Sequence, residues 1–147
     1  MNGIQSEPTD VLSGVPHGSV LELLLFLILI GDVDKSVISS FLSSFANDMW
    51  IGKGIASKKD AHELQRDLNA VYQWAIDNNM EFNCDKFECV RYGRDKELQN
   101  TIPYHSNTGS IIAENETVRD LGVLMSKDGT FKTHIKNLGD TAKKMCG

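Results

Sequence analysis

The stretch VISSFLSSFANDMWI, residues 37–51, decides the fold of this chain. Residues 37–46 combine serine with apolar side chains and predict one strand, and residues 49–51 predict a second. Between them lie Asn47 and Asp48, two residue types that tolerate the tight backbone of a hairpin turn. We therefore expect a β-hairpin with Phe41 and Phe45 on the same side of the first strand and Asp48 exposed at the tip.

An apolar run, VLELLLFLILI, precedes this stretch at residues 20–30 and is interrupted only by Glu22. It is too short to span a bilayer, which takes about 20 apolar residues. The segment before it contains Glu7 and Asp10 but no Lys or Arg, which does not match a signal peptide. The run therefore predicts a helix buried in a protein core. We expect an intracellular chain, cytoplasmic or nuclear, that makes no membrane contact.

A helical pattern follows the hairpin and begins at Ser57. Apolar residues recur at steps of three and four and so share one face of a helix: Ala61, Leu64, Leu68, Val71, Tyr72 and Ala75. Ser57 can cap the N-terminus of this helix, and Asp60 in the first turn opposes the helix dipole. We expect the helix to end near Asn78 and Asn79.

The rest of the chain alternates short strands and turns before a last helix. The pattern predicts strands at residues 80–82, 87–92, 111–112 and 121–125, a turn at 127–129 and a helix at 131–145. Strands and helices in this order indicate an α+β fold. We expect the helices to pack on one face of a largely antiparallel sheet.

Composition narrows the function classes. A chain of 147 residues that is 41% hydrophobic predicts one modest domain. The formal net charge of −5 argues against a free-standing nucleic-acid binder, because such domains carry excess Lys and Arg to neutralise phosphates. Lysines outnumber acids from Lys127 onward, which indicates either a phosphate contact or a solvated helix face. Three cysteines without paired spacing and four scattered histidines predict neither disulfides nor zinc.

The segment SGVPHGSVL, residues 13–21, with LLFLI at 24–28, carries a specific resemblance. It resembles the SGVPQGSVLGPLLF segment of the reverse transcriptases of jockey-like, non-long-terminal-repeat retrotransposons, which lies under the template and incoming nucleotide. Small residues there let nucleic acid approach the backbone closely. His17 stands where the family has Gln, and Glu22-Leu23 replaces Gly-Pro. The resemblance implies nucleotide and template contacts from Ser13, Gly14, Pro16, His17, Gly18 and Ser19.

The hairpin sequence Phe45-Ala46-Asn47-Asp48 is similar to the FADD form of the polymerase motif. The family places carboxylates at this tip to hold two Mg²⁺ ions about 4 Å apart. Asn47 occupies the position of the first metal-binding acid. A neutral amide offers an oxygen but no negative charge, on which Mg²⁺ depends. The resemblance thus implies catalytic positions at Asn47 and Asp48, with Asp48 as the retained metal ligand and Mg²⁺ not bound productively.

Two later blocks extend the resemblance along the chain. DLN at residues 67–69, Trp74 and MEFNCDK at 80–86 are similar to a family helix followed by a strand. Its lysine, matched by Lys86, would donate a proton to pyrophosphate. From composition alone, Lys86 would be a solvent-exposed charge. VRDLGVLM at residues 118–125, together with a later Phe and His-Ile, is like the segment that leads from palm to thumb.

The four blocks, in family order, imply that residues 1–147 form a partial palm running toward the thumb. Fingers and the first catalytic palm strand are expected before Met1. The parent activity is RNA-directed DNA polymerisation by two-metal nucleotidyl transfer, with an RNA template and a DNA primer as partners. We expect this chain to be inactive. Alternatives are a non-enzymatic interaction module that binds a protein through uncovered apolar surface, and a decaying reading frame without a cellular role.

Overall fold

The computed structural model describes Asp10, residues 21–93 and residues 102–146. Its helices are α1 (Glu22–Leu29), α2 (Lys58–Asp77) and α3 (Lys132–Cys146). Its strands are β1 (Phe41–Phe45), β2 (Asp48–Gly52), β3 (Glu88–Cys89), β4 (Ala113–Glu114), β5 (Thr117–Asp120) and β6 (Val123–Ser126). Short 3-10 turns lie at Val33–Ser36 and Cys84–Lys86. The described residues therefore mix helix and strand, as an α+β fold requires.

Strands β1 and β2 form the predicted antiparallel hairpin, with Phe41 paired to Gly52 and Phe45 paired to Asp48. The turn consists of Ala46 and Asn47, one residue earlier than expected, so Asp48 is the first residue of β2. Asp48 is exposed, which confirms that part of the prediction, and Asn47 beside it is exposed as well. The first strand is shorter than predicted, because residues 38–40 bend before it to reach α2.

Helix α2 follows the predicted boundaries at both ends. The Asp60 backbone N–H donates to Ser57 Oγ at 3.4 Å, and the Ser57 N–H donates to Asp60 Oδ2 at 2.8 Å, which completes a capping box. The helix ends with Asn78 as its C-cap. Its buried residues are Ala61, Asp67, Val71, Tyr72 and Ala75. Four of the six residues of the predicted apolar face are thus buried, Leu64 and Leu68 are partly exposed, and the Asp67 carboxylate is added to the face.

Helix α1 confirms the predicted helix and contradicts its predicted burial. None of its eight residues is buried, and Leu24 and Ile28 are 54% and 69% exposed. Only Ile30 and Val33, just beyond its end, lie in the core. Apart from Glu22 at its start, the helix is apolar, and no neighbouring element among the described residues covers its length. Residue 20, the first of the predicted run, lies outside the described residues.

The single sheet predicted from the sequence is wrong for the described residues. Strands pair only two by two: β1 with β2 and β5 with β6 are antiparallel, and β3 with β4 is parallel. The predicted strand at residues 80–82 is absent, because the Met80 N–H donates to the Ala75 carbonyl at the end of α2. Phe82 then turns inward against the Tyr72 ring, with the ring centroids 5.9 Å apart.

The remaining predictions have mixed outcomes. The strand at residues 87–92 shrinks to Glu88–Cys89, and Ile111 forms only an isolated bridge with His105. The strand at 121–125 begins later, at Val123, because Leu121 and Gly122 form a turn with positive φ angles of 45° and 86°. β5 was not predicted. The turn at 127–129 and the last helix are confirmed.

Asp67 is buried to 1% exposure on the inner face of α2 and holds the chain that leads into β1. Its carboxylate accepts hydrogen bonds from the Ile38 N–H at 3.3 Å and from the Ser39 N–H and Oγ at 2.9 and 2.7 Å. Burial opposes the charged form, but the bonds from Ser39 outweigh it, so the pKa of Asp67 falls to about 2.

No helix of the described part of the chain has the length and apolarity to cross a membrane.

We predict that Asp67 makes the stability of the chain pH-dependent. Its folded-state pKa lies below the ordinary 3.8, so its stabilisation is present above that value and is lost as the pH falls through about 2. The shift corresponds to about 2 kcal/mol. Urea unfolding should show Asp67→Asn less stable than the unmodified chain near neutral pH, with a difference that shrinks toward about pH 2. Asp77→Asn, at the exposed end of α2, is the control. A difference that stays constant with pH would contradict the prediction.

Candidate functional site

The candidate site is the tip of the β1-β2 hairpin, where Asn47 and Asp48 are both open to solvent. Ala46, the first turn residue, has a φ angle of +51°, a left-handed conformation that is uncommon for a residue with a side chain. Away from the tip, the Phe41 ring covers Gly52, its cross-strand partner. A Cβ added to Gly52 would lie 2.5 Å from that ring. The missing side chain thus lets the ring pack on the opposite strand.

Side-chain bonds fix the hairpin to the rest of the structure. Trp50 Nε1 donates to Asp120 Oδ1 at 2.9 Å and so links β2 to β5. Beyond β2, Lys53 Nζ donates to the Ser39 carbonyl at 2.9 Å and forms an ion pair with Glu63 of α2 at the same distance. The hydrogen bond from Lys53 holds the pKa of Glu63 below its ordinary value. These bonds fix both ends of the hairpin, so its tip is presented by a braced element.

Lys86 lies in the 3-10 turn Cys84–Lys86 and is exposed. Asn83 caps this turn by accepting a hydrogen bond from the Asp85 N–H at 3.2 Å. Phe82 and Phe87 flank the turn and pack against Tyr72, which places it beside α2. Among the described residues, no hydrogen bond or ion pair joins Lys86 to Asn47 or Asp48. The structure therefore does not bring the predicted lysine into contact with the tip.

The nucleotide and template contacts implied by the sequence lie outside the described residues. They are Ser13, Gly14, Pro16, His17, Gly18 and Ser19.

The tip offers few donors for the Mg²⁺ that the resemblance implies. The tip supplies the Asp48 carboxylate and the Asn47 amide oxygen. In the described part of the chain, no three His, Cys, Asp or Glu side chains come together as metal ligands. Mg²⁺ is bound through carboxylates, and a pair of ions needs several of them. One carboxylate and one amide do not fit a two-Mg²⁺ centre.

Sequence reasoning missed Asp67, Trp50 and Asp120, whose hydrogen bonds position the hairpin. The sequence patterns assign no role to Asp67, although it lies one helical turn before Val71 on the apolar face of α2. An acid at such a position signals a buried hydrogen-bond acceptor. The bond between Trp50 and Asp120 has no comparable signal, since the two residues are 70 positions apart.

Comparison with known proteins matches this chain to polymerases of mobile elements. It is similar to RNA-directed DNA polymerases along nearly its whole length, which confirms the resemblance found in the four blocks. The RNA-directed DNA polymerase from mobile element jockey of Drosophila melanogaster is 26% identical over 150 residues, covering 94% of this chain. The jockey polymerase of Drosophila funebris is 25% identical over 145 residues, covering 93%.

The chain spans 16% of the length of each of these relatives. No family model and no solved structure matches it. The likeness therefore concerns sequence, and it identifies a segment similar to a part of a much longer polymerase.

We predict that the bond between Trp50 and Asp120 stabilises the hairpin. Trp50→Phe removes the N–H donor from this partly buried bond and should lower the free energy of unfolding by about 1–2 kcal/mol. Trp74→Phe is a matched control, because Trp74 Nε1 makes a bond of the same length, 2.9 Å, to Asp32 at the surface. Urea unfolding of both variants measures the difference. If the two variants lose the same free energy of unfolding, the bond between the hairpins stabilises the chain no more than a surface bond does, and the prediction is contradicted.

Proposed function

We propose that the chain forms the later part of the palm of a non-long-terminal-repeat retrotransposon RNA-directed DNA polymerase and that, as it stands, it does not catalyse nucleotidyl transfer. The observation that carries this proposal is Asn47 at the exposed tip of a braced hairpin. The resemblance assigns that position to a metal-binding acid. The chain thus retains the element that presents the site and lacks half of its charge.

The hairpin supports the palm assignment through its shape and its anchoring. A catalytic carboxylate must be held on a rigid element, and β1-β2 is tied to β5 through Trp50 and to α2 through Lys53. The order hairpin, helix, hairpin, helix in β1-β2, α2, β5-β6 and α3 follows the order of the second, third and fourth sequence blocks.

Charge supports the proposed inactivity. Two-metal catalysis uses the ions to activate a nucleophile and to stabilise the leaving group, which requires carboxylates that hold both ions. Asn47 contributes no charge, and Asp48 alone leaves the tip with one negative group. In a polymerase that carries the full set of ligands, Lys86 would donate a proton to pyrophosphate. Template and nucleotide would be contacted by Ser13, Gly14, Pro16, His17, Gly18 and Ser19.

The second candidate is a non-enzymatic interaction module, and helix α1 favours it. Its leucines and isoleucine form a continuous apolar surface that the described residues leave open. Contiguous apolar patches on soluble proteins mark interaction sites or cause aggregation. In a complete polymerase, other parts of the palm and fingers would cover this surface.

We predict that primer extension on an RNA template with Mg²⁺ is undetectable for the unmodified chain. Asn47→Asp alone should not restore it, because the resemblance assigns a further metal-binding aspartate to an upstream palm strand. Fusing the corresponding upstream segment of a jockey polymerase to the Asn47→Asp chain is the smallest change expected to give activity. The same fusion with Asn47 unchanged is the matched control. Extension by the unmodified chain that Asp48→Ala abolishes would refute the proposed inactivity.

We also predict that α1 makes the purified chain self-associate and bind a hydrophobic dye. Leu24→Glu with Ile28→Glu puts two charges on one face of α1 and should reduce both signals severalfold. Ile38→Glu with Ile111→Glu adds the same charge at exposed apolar residues outside the helix and should reduce them much less. Light scattering and dye fluorescence are the measurements. If the unmodified chain is a monomer that does not bind the dye, the hypothesis of an interaction module is contradicted.

A further inference from the structure

An open groove of about 500 Å³ lies between α2 and the turn that follows His105. Three amide side chains line it from α2 at four-residue intervals: Gln65, Asn69 and Gln73. Asn107 faces them from the turn, and Tyr72 contributes to the lining. The groove lies apart from the hairpin tip and shares no residue with the candidate polymerase site.

One amide of the groove already binds polypeptide main chain. Gln65 Nε2 donates to the His105 carbonyl at 3.0 Å, and the His105 N–H donates to Gln65 Oε1 at 2.8 Å. On its other side, His105 pairs with Ile111 in an antiparallel bridge. The Gln65 side chain therefore takes the place of a neighbouring strand at the free edge of His105. An amide on this face of α2 is thus shown to recognise an extended backbone.

The next two amides have unused hydrogen-bonding groups. Asn69 Oδ1 accepts from Gln65, and Gln73 Nε2 donates to Asp77, both at 2.8 Å. In the described structure, no partner engages Asn69 Nδ2 or Gln73 Oε1, which leaves one donor and one acceptor. Four residues of helix rise about 6 Å, and two residues of extended chain rise about 6.7 Å. The donor and acceptor therefore match successive outward-facing groups of an extended peptide.

Tyr72, one of the residues that line the groove, has a buried hydroxyl. The residue is 5% exposed, and its OH has no hydrogen-bond partner among the described residues. Burial raises the pKa of Tyr72 to about 12, so the hydroxyl is a neutral donor at physiological pH. A buried polar group without a partner is unfavourable, and a ligand that supplies one removes that cost.

The charge of the groove selects the class of ligand. The described residues that line it include no Lys, Arg, Asp or Glu. Phosphate-bearing ligands are held by cationic side chains, which this described lining does not supply. Neutral amides suit the alternating N–H and carbonyl groups of a peptide main chain. We propose that this groove binds an uncharged polypeptide segment in extended conformation, running along α2 past Asn69 and Gln73 and reaching the Tyr72 hydroxyl.

The test uses the full chain and a fluorescent, end-blocked peptide of alternating Thr and Gln. Fluorescence anisotropy should show saturable binding. Asn69→Ala, Gln73→Ala and Tyr72→Phe should each weaken it by about tenfold, the effect of one lost hydrogen bond at a desolvated site. Asn137→Ala, which removes an exposed amide from α3, should leave it unchanged. Thermal unfolding of each variant checks that the fold is retained, and Asn69 and Gln73 are exposed residues whose loss should not disturb it.

A modified peptide distinguishes recognition of the main chain from recognition of the side chains. The same peptide with N-methylated main-chain amides keeps its side chains but cannot donate to Gln73 Oε1, and it should bind at least tenfold more weakly. Absence of saturable peptide binding would overturn the proposal, as would binding unaffected by the three groove variants. Oligouridine that binds with the same sensitivity to those variants would also overturn it and assign the groove to nucleic acid.

Discussion

The buried carboxylate of Asp67 is the constraint on which the rest of this structure depends. It lies on the inner face of α2 and accepts three hydrogen bonds from Ile38 and Ser39. Those bonds set where the chain stops bending and β1 begins, and so they fix the position of the hairpin relative to α2. A buried charge is unfavourable unless it is fully hydrogen-bonded. The 38–39 backbone therefore has one favourable position against the helix, and the Lys53 ion pair with Glu63 closes the same connection from the other end of the hairpin.

The sequence predicts those elements whose burial is local and misses those that depend on distant partners. Helix α2 follows from its own periodicity and from the Ser57 cap, both of which are read within a few residues. The hairpin follows from its turn, although the turn lies one residue earlier because pairing begins at Phe41 and Gly52. Residues 80–82 have strand-like composition, yet Phe82 packs against Tyr72 and the backbone closes onto Ala75. Tertiary contacts of this kind override a local preference.

The same distinction applies to function. The tip at Asn47 and Asp48 was predictable, because a short motif and a turn coincide in sequence. The amide groove was not, since Gln65, Asn69 and Gln73 look like an ordinary solvated helix face. Only the structure shows that Gln65 binds the main chain of His105, 40 residues away, and that the Tyr72 hydroxyl has no partner within the described part of the chain. Helix α1 is the opposite case: its apolar sequence indicates burial, but burial needs a covering element that lies elsewhere in the chain or in another molecule.

The hairpin tip combines a strained backbone at Ala46 with a neutral side chain at Asn47. Ala46 has a φ angle of +51°, which is unfavourable for a residue with a Cβ and is typical of backbone held in place by its surroundings at functional sites. Two adjacent carboxylates at such a tip would repel each other unless cations neutralised them. Asn47 removes that repulsion while its side chain still tolerates a turn. An Asn at this position therefore favours the hairpin in the absence of metal. In a tip that carries two acids, the charge that opposes folding is also the charge that holds the ions.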